Sequence, residues 1–258
     1  MNEKTETLFY RESSNTRLSE SLSLSRLFPA WQPFYDYFPC SGGLSRRSAD
    51  ARGCIDLELG FFCNRVPKAA NSSVVASLAS LKLQRQVGSR EAKRLFKRPS
   101  ELSHDDMLVF SKLFKFAIVR DPYARTLSAF LDKVKRKQEI GSWRGKEHDF
   151  YSFLLWLEQG KLLDNAHWAP QASILLLPVT KFDFIGQVES LDRDLSHILR
   201  RLNGSVEGAD INPVFSNATG AEEKLASFYC EKTVKLVEKL YHCDFELFGY
   251  SKDLLARI

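Results

Sequence analysis

The segment Pro67-Lys68-Ala69-Ala70-Asn71-Ser72-Ser73 places one lysine ahead of two alanines, an asparagine and two serines, directly after the apolar run FFCNRV. Where a buried strand gives way to a helix, such residues leave the first N–H groups of the helix unencumbered. The Lys68 ammonium and the hydroxyls of Ser72 and Ser73 stand beside them, and together they make a cradle for phosphate or sulfate. The segment is not a GxxxxGK[ST] loop, because it has no glycine and its lysine does not directly precede a hydroxyl, which makes ATP hydrolysis the weaker reading. An ordinary strand-to-helix turn that binds nothing has the same outline, so this motif does not decide alone.

A second stretch, FAIVRDPYARTLSAFLDK, repeats the arrangement. Its apolar strand ends at Arg120, Asp121 can cap the following helix, and Pro122 suits the first helical turn, where an N–H would have no partner. The Arg120 fork and the Ser128 hydroxyl, two turns into the helix, could hold another phosphate, although an ion pair with Asp121 or a sheet-edge contact is open to Arg120 as well. Arg125, three residues before Ser128, shares a helix face with it. Two anion sites on neighbouring loops suggest a nucleotide with phosphates at both ends.

The elements that must position these loops follow from periodicity. DLELGFFCNRV, residues 56–66, reads as one strand entering a sheet covered on both faces. Val74, Val75, Leu78 and Leu81 give a helix over residues 72 to about 85 with one buried stripe. Leu127, Phe130, Leu131 and Val134 mark the helix after Arg120. Phe150, Phe153, Leu154 and Leu157 mark another. FDFIGQV is a further strand, followed by a helix striped by Leu191, Leu195, Ile198, Leu199 and Leu202. A last helical stretch, residues 219–245, opens on a Thr219 to Glu222 capping box and carries Leu225, Tyr229, Leu236 and Leu240. Strands alternating with helices imply an α/β fold, a central parallel sheet with helices on both faces. In such a sheet the loops leaving the carboxyl ends of the strands converge on one crevice.

The whole chain of 258 residues has a net charge of +5, which favours anionic ligands over cationic ones. Its five cysteines, Cys40, Cys54, Cys63, Cys230 and Cys243, have no CxxC spacing and are odd in number, so a metal site built on them is not expected and a reducing compartment is. Residues 1–26 mix charges and serines and are expected to be loosely ordered, with 27–55 an irregular leader and 27–258 a single domain. No signal peptide or apolar block of membrane-spanning length is visible, so a cytoplasmic location is expected, with any membrane association peripheral.

With both loops in view, RVPKAANSS followed by FAIVRDPYARTLSAFLDK resembles the sulfotransferase superfamily that uses 3′-phosphoadenosine 5′-phosphosulfate (PAPS). HWAPQ at 167–171, FDFIGQVESLDRD at 182–194 and YHCDFELFGY at 241–250 extend the likeness to the carbohydrate sulfotransferase branch that includes the chondroitin enzymes. The resemblance implies a P-loop-like three-layer α/β/α fold and transfer of a sulfuryl group from PAPS to a carbohydrate hydroxyl, without a metal. It places Lys68 on the 5′-phosphosulfate, with Ala69, Ala70, Asn71, Ser72 and Ser73 around the same group and Arg120 and Ser128 on the 3′-phosphate. His167, in the HW segment, is the first candidate for general base and His104 the second. Glu189 and Arg125 match family positions and are expected on the acceptor side, with a carboxylate at a helix N-terminus the alternative for Glu189 and ion pairing within the fold the alternative for Arg125. Relatives often have threonine at the position of Ser72, and the cysteine pair that many animal members carry before yDfIG is missing from LLLPVTKFDF. The partners implied are a nucleotide donor and a carbohydrate acceptor, and no nucleic acid. A P-loop-like kinase or nucleotidase and a non-enzymatic module for acidic glycans or nucleic acid are the alternatives. The basic runs at 82–98 and 133–146 favour the latter.

Overall fold

Residues 53–64 form a hairpin, so residues 56–66 are not the single strand expected from their alternation. In the computed structural model, which describes residues 32–136, 149–204 and 220–254, β1 (Gly53–Asp56) pairs antiparallel with β2 (Phe61–Asn64), Cys54 opposite Cys63. Asp56 Oδ1 accepts from the N–H groups of Glu58 and Leu59 at 3.0 and 2.9 Å, and Gly60 closes the turn at a φ of +73°. A carboxylate that satisfies the backbone two residues on is a turn former, and it overrides the Leu-Glu-Leu alternation.

β2 runs parallel to β3 (Phe114–Val119), which runs parallel to β4 (Phe184–Gln187), in the order β1-β2-β3-β4. The all-parallel expectation therefore holds for β2 to β4 and fails at the β1 edge, because so short a connection can only join antiparallel strands. α1 (Asn71–Leu83) leaves β2, α2 (Pro122–Ala129) leaves β3 and α4 (Leu191–Asn203) follows β4; α3 is Phe150–Trp156, α5 Glu231–Leu240 and α6 His242–Phe248.

Alternate side chains of the strands go to opposite faces. Phe61, Cys63, Phe116 and Ile118 pack with Val74, Val75 and Leu78 of α1 and with Leu195, Ile198 and Leu199 of α4. On the other side, Phe62 meets Phe34, Phe110 and Leu177, while Ala117 and Val119 meet Ile174 and Leu175. α1 has no single stripe: every residue from Ser73 to Ala79 is buried, since α4 and the segment around Val87 and Ala92 cover the side away from the sheet. α2 is buried along its whole length and runs into a π-helical turn, Phe130–Arg136. Among the described residues, no helix is long and apolar enough to cross a membrane.

The leader is more regular than expected. Pro33–Tyr37 and Arg46–Asp50 are short helices. Phe34 is fully buried, and Asp50 accepts from the Tyr35 hydroxyl at 2.8 Å and from the Ser100 N–H at 2.8 Å. The C-terminal stretch is not one helix. It breaks at Tyr229, whose hydroxyl donates to the Tyr123 carbonyl at 2.8 Å, and α5 restarts with the Thr233 hydroxyl accepting from the Cys230 N–H at 2.8 Å. The buried side of α5 is consequently Thr233, Val234 and Val237, with Leu236 and Leu240 only partly covered. The expected loose order of residues 1–26, the Thr219 cap and most of the basic run 133–146 lie outside the described residues.

Truncating Phe34, which sits edge-on to Phe110 with ring centroids 5.3 Å apart, tests whether the leader belongs to the core. Phe34→Ala should lower the free energy of unfolding by about 3–5 kcal/mol in urea denaturation. A loss below about 1 kcal/mol would show that the leader adds little to the core.

Candidate functional site

The turn after β2 is built from left-handed residues that are not glycine. Lys68 has φ +68° and Ala70 φ +48°, and Ala70 caps α1 without any side-chain hydrogen bond. Such conformations cost about 1–3 kcal/mol each and persist only where the surroundings fix them. Here Val66 and Ala69 are buried, the Ala69 N–H reaches the Val66 carbonyl at 3.3 Å and the Val74 N–H reaches the Ala70 carbonyl at 3.0 Å. The first N–H groups of α1, those of Asn71, Ser72 and Ser73, lack intrahelical acceptors by geometry, and the first turn of α1 carries no acidic residue. Alternating left- and right-handed backbone of this kind makes a concave nest of N–H donors, suited to an anion. Asn71 Oδ1 lies buried there without a hydrogen-bond partner, while Ser73 is buried and Ser72 half-buried.

The turn after β3 lies against this one. Arg120 Nη1 donates to the Lys68 carbonyl at 3.3 Å and Nη2 to Glu222 Oε1 at 3.1 Å, and Nε is buried with no partner. The backbone of Arg120 is gripped at both ends by Gln171, whose Oε1 accepts the Arg120 N–H at 2.9 Å and whose Nε2 donates to the Arg120 carbonyl at 2.8 Å. Asp121 caps α2 as expected, accepting the Ala124 N–H at 3.0 Å, and Ser128 is buried two turns in. Gln171 is held in turn by Asp244 of α6, which accepts the N–H groups of Gln171 and Ala172 at 2.7 and 2.9 Å. Burial pushes the Asp244 carboxyl upward in pKa, and the neighbouring Arg125 pulls it down.

Two residues expected on the acceptor side do other work. Arg125 is only 1% exposed; its Nε donates to the Pro67 carbonyl at 3.0 Å, Nη1 to Ala169 at 2.8 Å and Nη2 to Ala166 at 3.1 Å. A guanidinium committed to three backbone carbonyls in the interior ties loops together and does not meet a sugar. Glu189 accepts the Asp121 N–H on Oε1 at 2.8 Å and the Tyr250 hydroxyl on Oε2 at 2.9 Å, so it braces the turn after β3 against the C-terminal segment.

The two histidines separate. His104 is exposed at the start of the helix His104–Phe110, and its ring makes no hydrogen bond or ion pair among the described residues. His167 is half-buried beside the turns, with Nδ1 2.8 Å from Asn165 Oδ1. Because an amide oxygen only accepts, Nδ1 carries the proton and Nε2 keeps a lone pair. Its pKa is pushed down to about 3, first by burial and then by the positive charges of Lys133, Arg52, Lys68 and Arg125. The arrangement offers an anion cradle, a guanidinium, an ammonium and a neutral imidazole in one region. Among the described residues, no group of three or more His, Cys, Asp or Glu side chains could hold a metal ion.

Asp132 was not among the expected site residues. Its Oδ2 lies 2.7 Å from Lys68 Nζ, with the two side chains 11% and 12% exposed. The sequence shows a carboxylate one turn beyond Ser128, but its partner lies 64 residues earlier, so no local signal marks the pair.

A family model described as "Sulfotransferase family" matches residues 54–251 of this chain. Carbohydrate sulfotransferase 14 of Danio rerio is 28% identical over 177 residues, covering 59% of this chain and 47% of that protein. Carbohydrate sulfotransferase 12 of Xenopus laevis is 28% identical over 198 residues, covering 63% and 47%. Carbohydrate sulfotransferase 10 of Rattus norvegicus is 26% identical over 169 residues, covering 54% and 47%. This chain thus spans about half the length of the curated relatives it matches. No solved structure matches it significantly.

The depressed His167 pKa gives a direct expectation. In the unfolded chain the ring titrates near about 6.5, so the unfolded state binds the extra proton and the stability due to neutral His167 is lost as pH falls from there toward about 3. An NMR titration should find the His167 ring neutral throughout the range above about pH 4. A midpoint near the free-histidine value would contradict the burial and the positive field described here.

Proposed function

Since the chain belongs to the sulfotransferase family, we propose that the turns after β2 and β3 hold the two ends of PAPS and that the protein transfers its sulfuryl group to a carbohydrate hydroxyl. The observation that supports this reading is the contact between the turns: the Arg120 guanidinium donates to the carbonyl of Lys68, so the two turns lie side by side. The strand-turn-helix after β2, with helices and loops over both faces of the sheet, supports a P-loop-like three-layer arrangement, with residues 27–258 as a single domain.

The residues fit such a donor. Arg120 has a buried donor atom without a partner and a salt bridge to the half-exposed Glu222, which an incoming phosphate can displace. We assign the 3′-phosphate to Arg120 and Ser128. The 5′ group belongs to Lys68, the N–H groups of Ala70 to Ser73 and the hydroxyls of Ser72 and Ser73, with Ala69 shaping the turn. PAPS supplies the sulfuryl group itself.

The chain's contribution is placement and charge. Lys68 stabilises the negative charge that collects on the bridging phosphate oxygen as the S–O bond breaks. His167 Nε2 takes the proton of the acceptor hydroxyl as the new O–S bond forms. An imidazole with a pKa near 3 is a weak base, and the negative charge of a bound nucleotide beside Lys68 offsets part of the positive field that depresses it.

Steady-state kinetics on labelled sulfate transfer, with calorimetric titration of 3′-phosphoadenosine 5′-phosphate, test the assignment. Lys68→Ala should lower kcat by roughly 100- to 1000-fold with modest change in nucleotide binding. Arg120→Ala should weaken nucleotide binding by roughly 10- to 100-fold. A wild-type chain that binds no such nucleotide, or an Arg120→Ala chain that binds it normally, would contradict the proposal.

A further inference from the structure

We infer that Asp132 is a positioning residue for Lys68: it holds the lysine amine beside the small-residue turn and yields it to the 5′ anion of the donor. This rests on the donor reading above. The backbone of Lys68 is fixed by its left-handed conformation, but four further rotatable bonds separate that backbone from the amine. The amine makes a 2.7 Å contact with Asp132 Oδ2, which restrains it. Both side chains are close to nine-tenths buried, so solvent and salt screen the pair weakly.

The placement of Asp132 is itself informative. It rides on the π-helical turn Phe130–Arg136, which continues the buried helix α2. A π turn adds a residue to each hydrogen-bonded loop and so changes where the following side chains aim, a device common at functional sites. The side chain it delivers to the Lys68 amine is a carboxylate, and a negative charge there opposes binding of phosphate or sulfate by that amine. A site shaped for affinity alone would carry a neutral residue there. A carboxylate weakens nucleotide binding, and in exchange it gives the amine a defined position. An ammonium has three donors, so one can stay with Asp132 while the others face the turn.

Asp132→Asn keeps the shape and removes the charge. In the full chain without nucleotide, acetylation of Lys68 by an amine-directed reagent, read by mass spectrometry, should be roughly tenfold faster in Asp132→Asn, the equivalent of one lost hydrogen bond between charged groups. The same variant should bind 3′-phosphoadenosine 5′-phosphate at least as tightly as wild type, while kcat falls by roughly 10- to 100-fold from misplacement of the amine. Asp132→Ser should behave alike, and thermal melting curves matching wild type establish that both are folded. A merely structural residue would weaken binding and turnover together, and that result would overturn the inference. Equal labelling of Lys68 in wild type and variants would overturn it as well. Failure of wild type to bind the nucleotide would instead overturn the donor reading, and the hand-over with it.

Discussion

One buried guanidinium sets the spacing of the site. Arg125 leaves α2, which starts at the carboxyl end of β3, and reaches the Pro67 carbonyl at the carboxyl end of β2 as well as the Ala166 and Ala169 carbonyls of the loop that carries His167. Those three segments supply the anion cradle, the second cation and the imidazole. Burial drives the Arg125 pKa down and Asp244 drives it back up, so the negative charge that keeps this cation in the interior is the same one that anchors Gln171. Losing one partner of such a buried charge typically costs about 3–5 kcal/mol, because the other is left uncompensated. The spacing of the two turns therefore depends on side chains that never touch a ligand.

From that clamp the other polar contacts read as one connected network. Asp244 in the YHCDF segment holds Gln171 of HWAPQ, and Gln171 holds both ends of the Arg120 peptide. Glu189 of the IGQVE segment holds the next N–H, that of Asp121. The C-terminal motifs thus fix the turn after β3, and the proposed chemistry falls to a few residues of the two turns and the His167 loop. Neighbouring parallel strands set the distance between the turns, and the network sets their orientation.

This division explains what was legible in the sequence. Lys68, Ser72, Ser73, Arg120 and Ser128 stand out in the sequence because residue type and nearness to a strand end suffice to suggest an anion site. The α/β alternation and the β2 to β4 core were readable from apolar runs. The backbone partners of Arg125 and Glu189 were not legible because they lie 41 to 68 residues away, and nothing local separates a clamp from a ligand contact. The β1 hairpin was hidden because Asp56 turns the chain inside an alternating pattern. Asp132 was missed because its partner Lys68 sits 64 residues earlier. His167 could be located by its motif, but the burial and the field of four cations that push its pKa down exist only in the folded chain.

In the proposed site two adjacent turns grip opposite ends of one bis-anionic nucleotide. Calorimetry comparing 3′-phosphoadenosine 5′-phosphate with adenosine 5′-phosphate and adenosine 3′-phosphate tests it most directly. Simultaneous engagement of both turns predicts one-to-one binding of the bisphosphate, roughly 100-fold tighter than either monophosphate. A bisphosphate that binds no better than the tighter of the two monophosphates would show that the turns do not act on a single ligand.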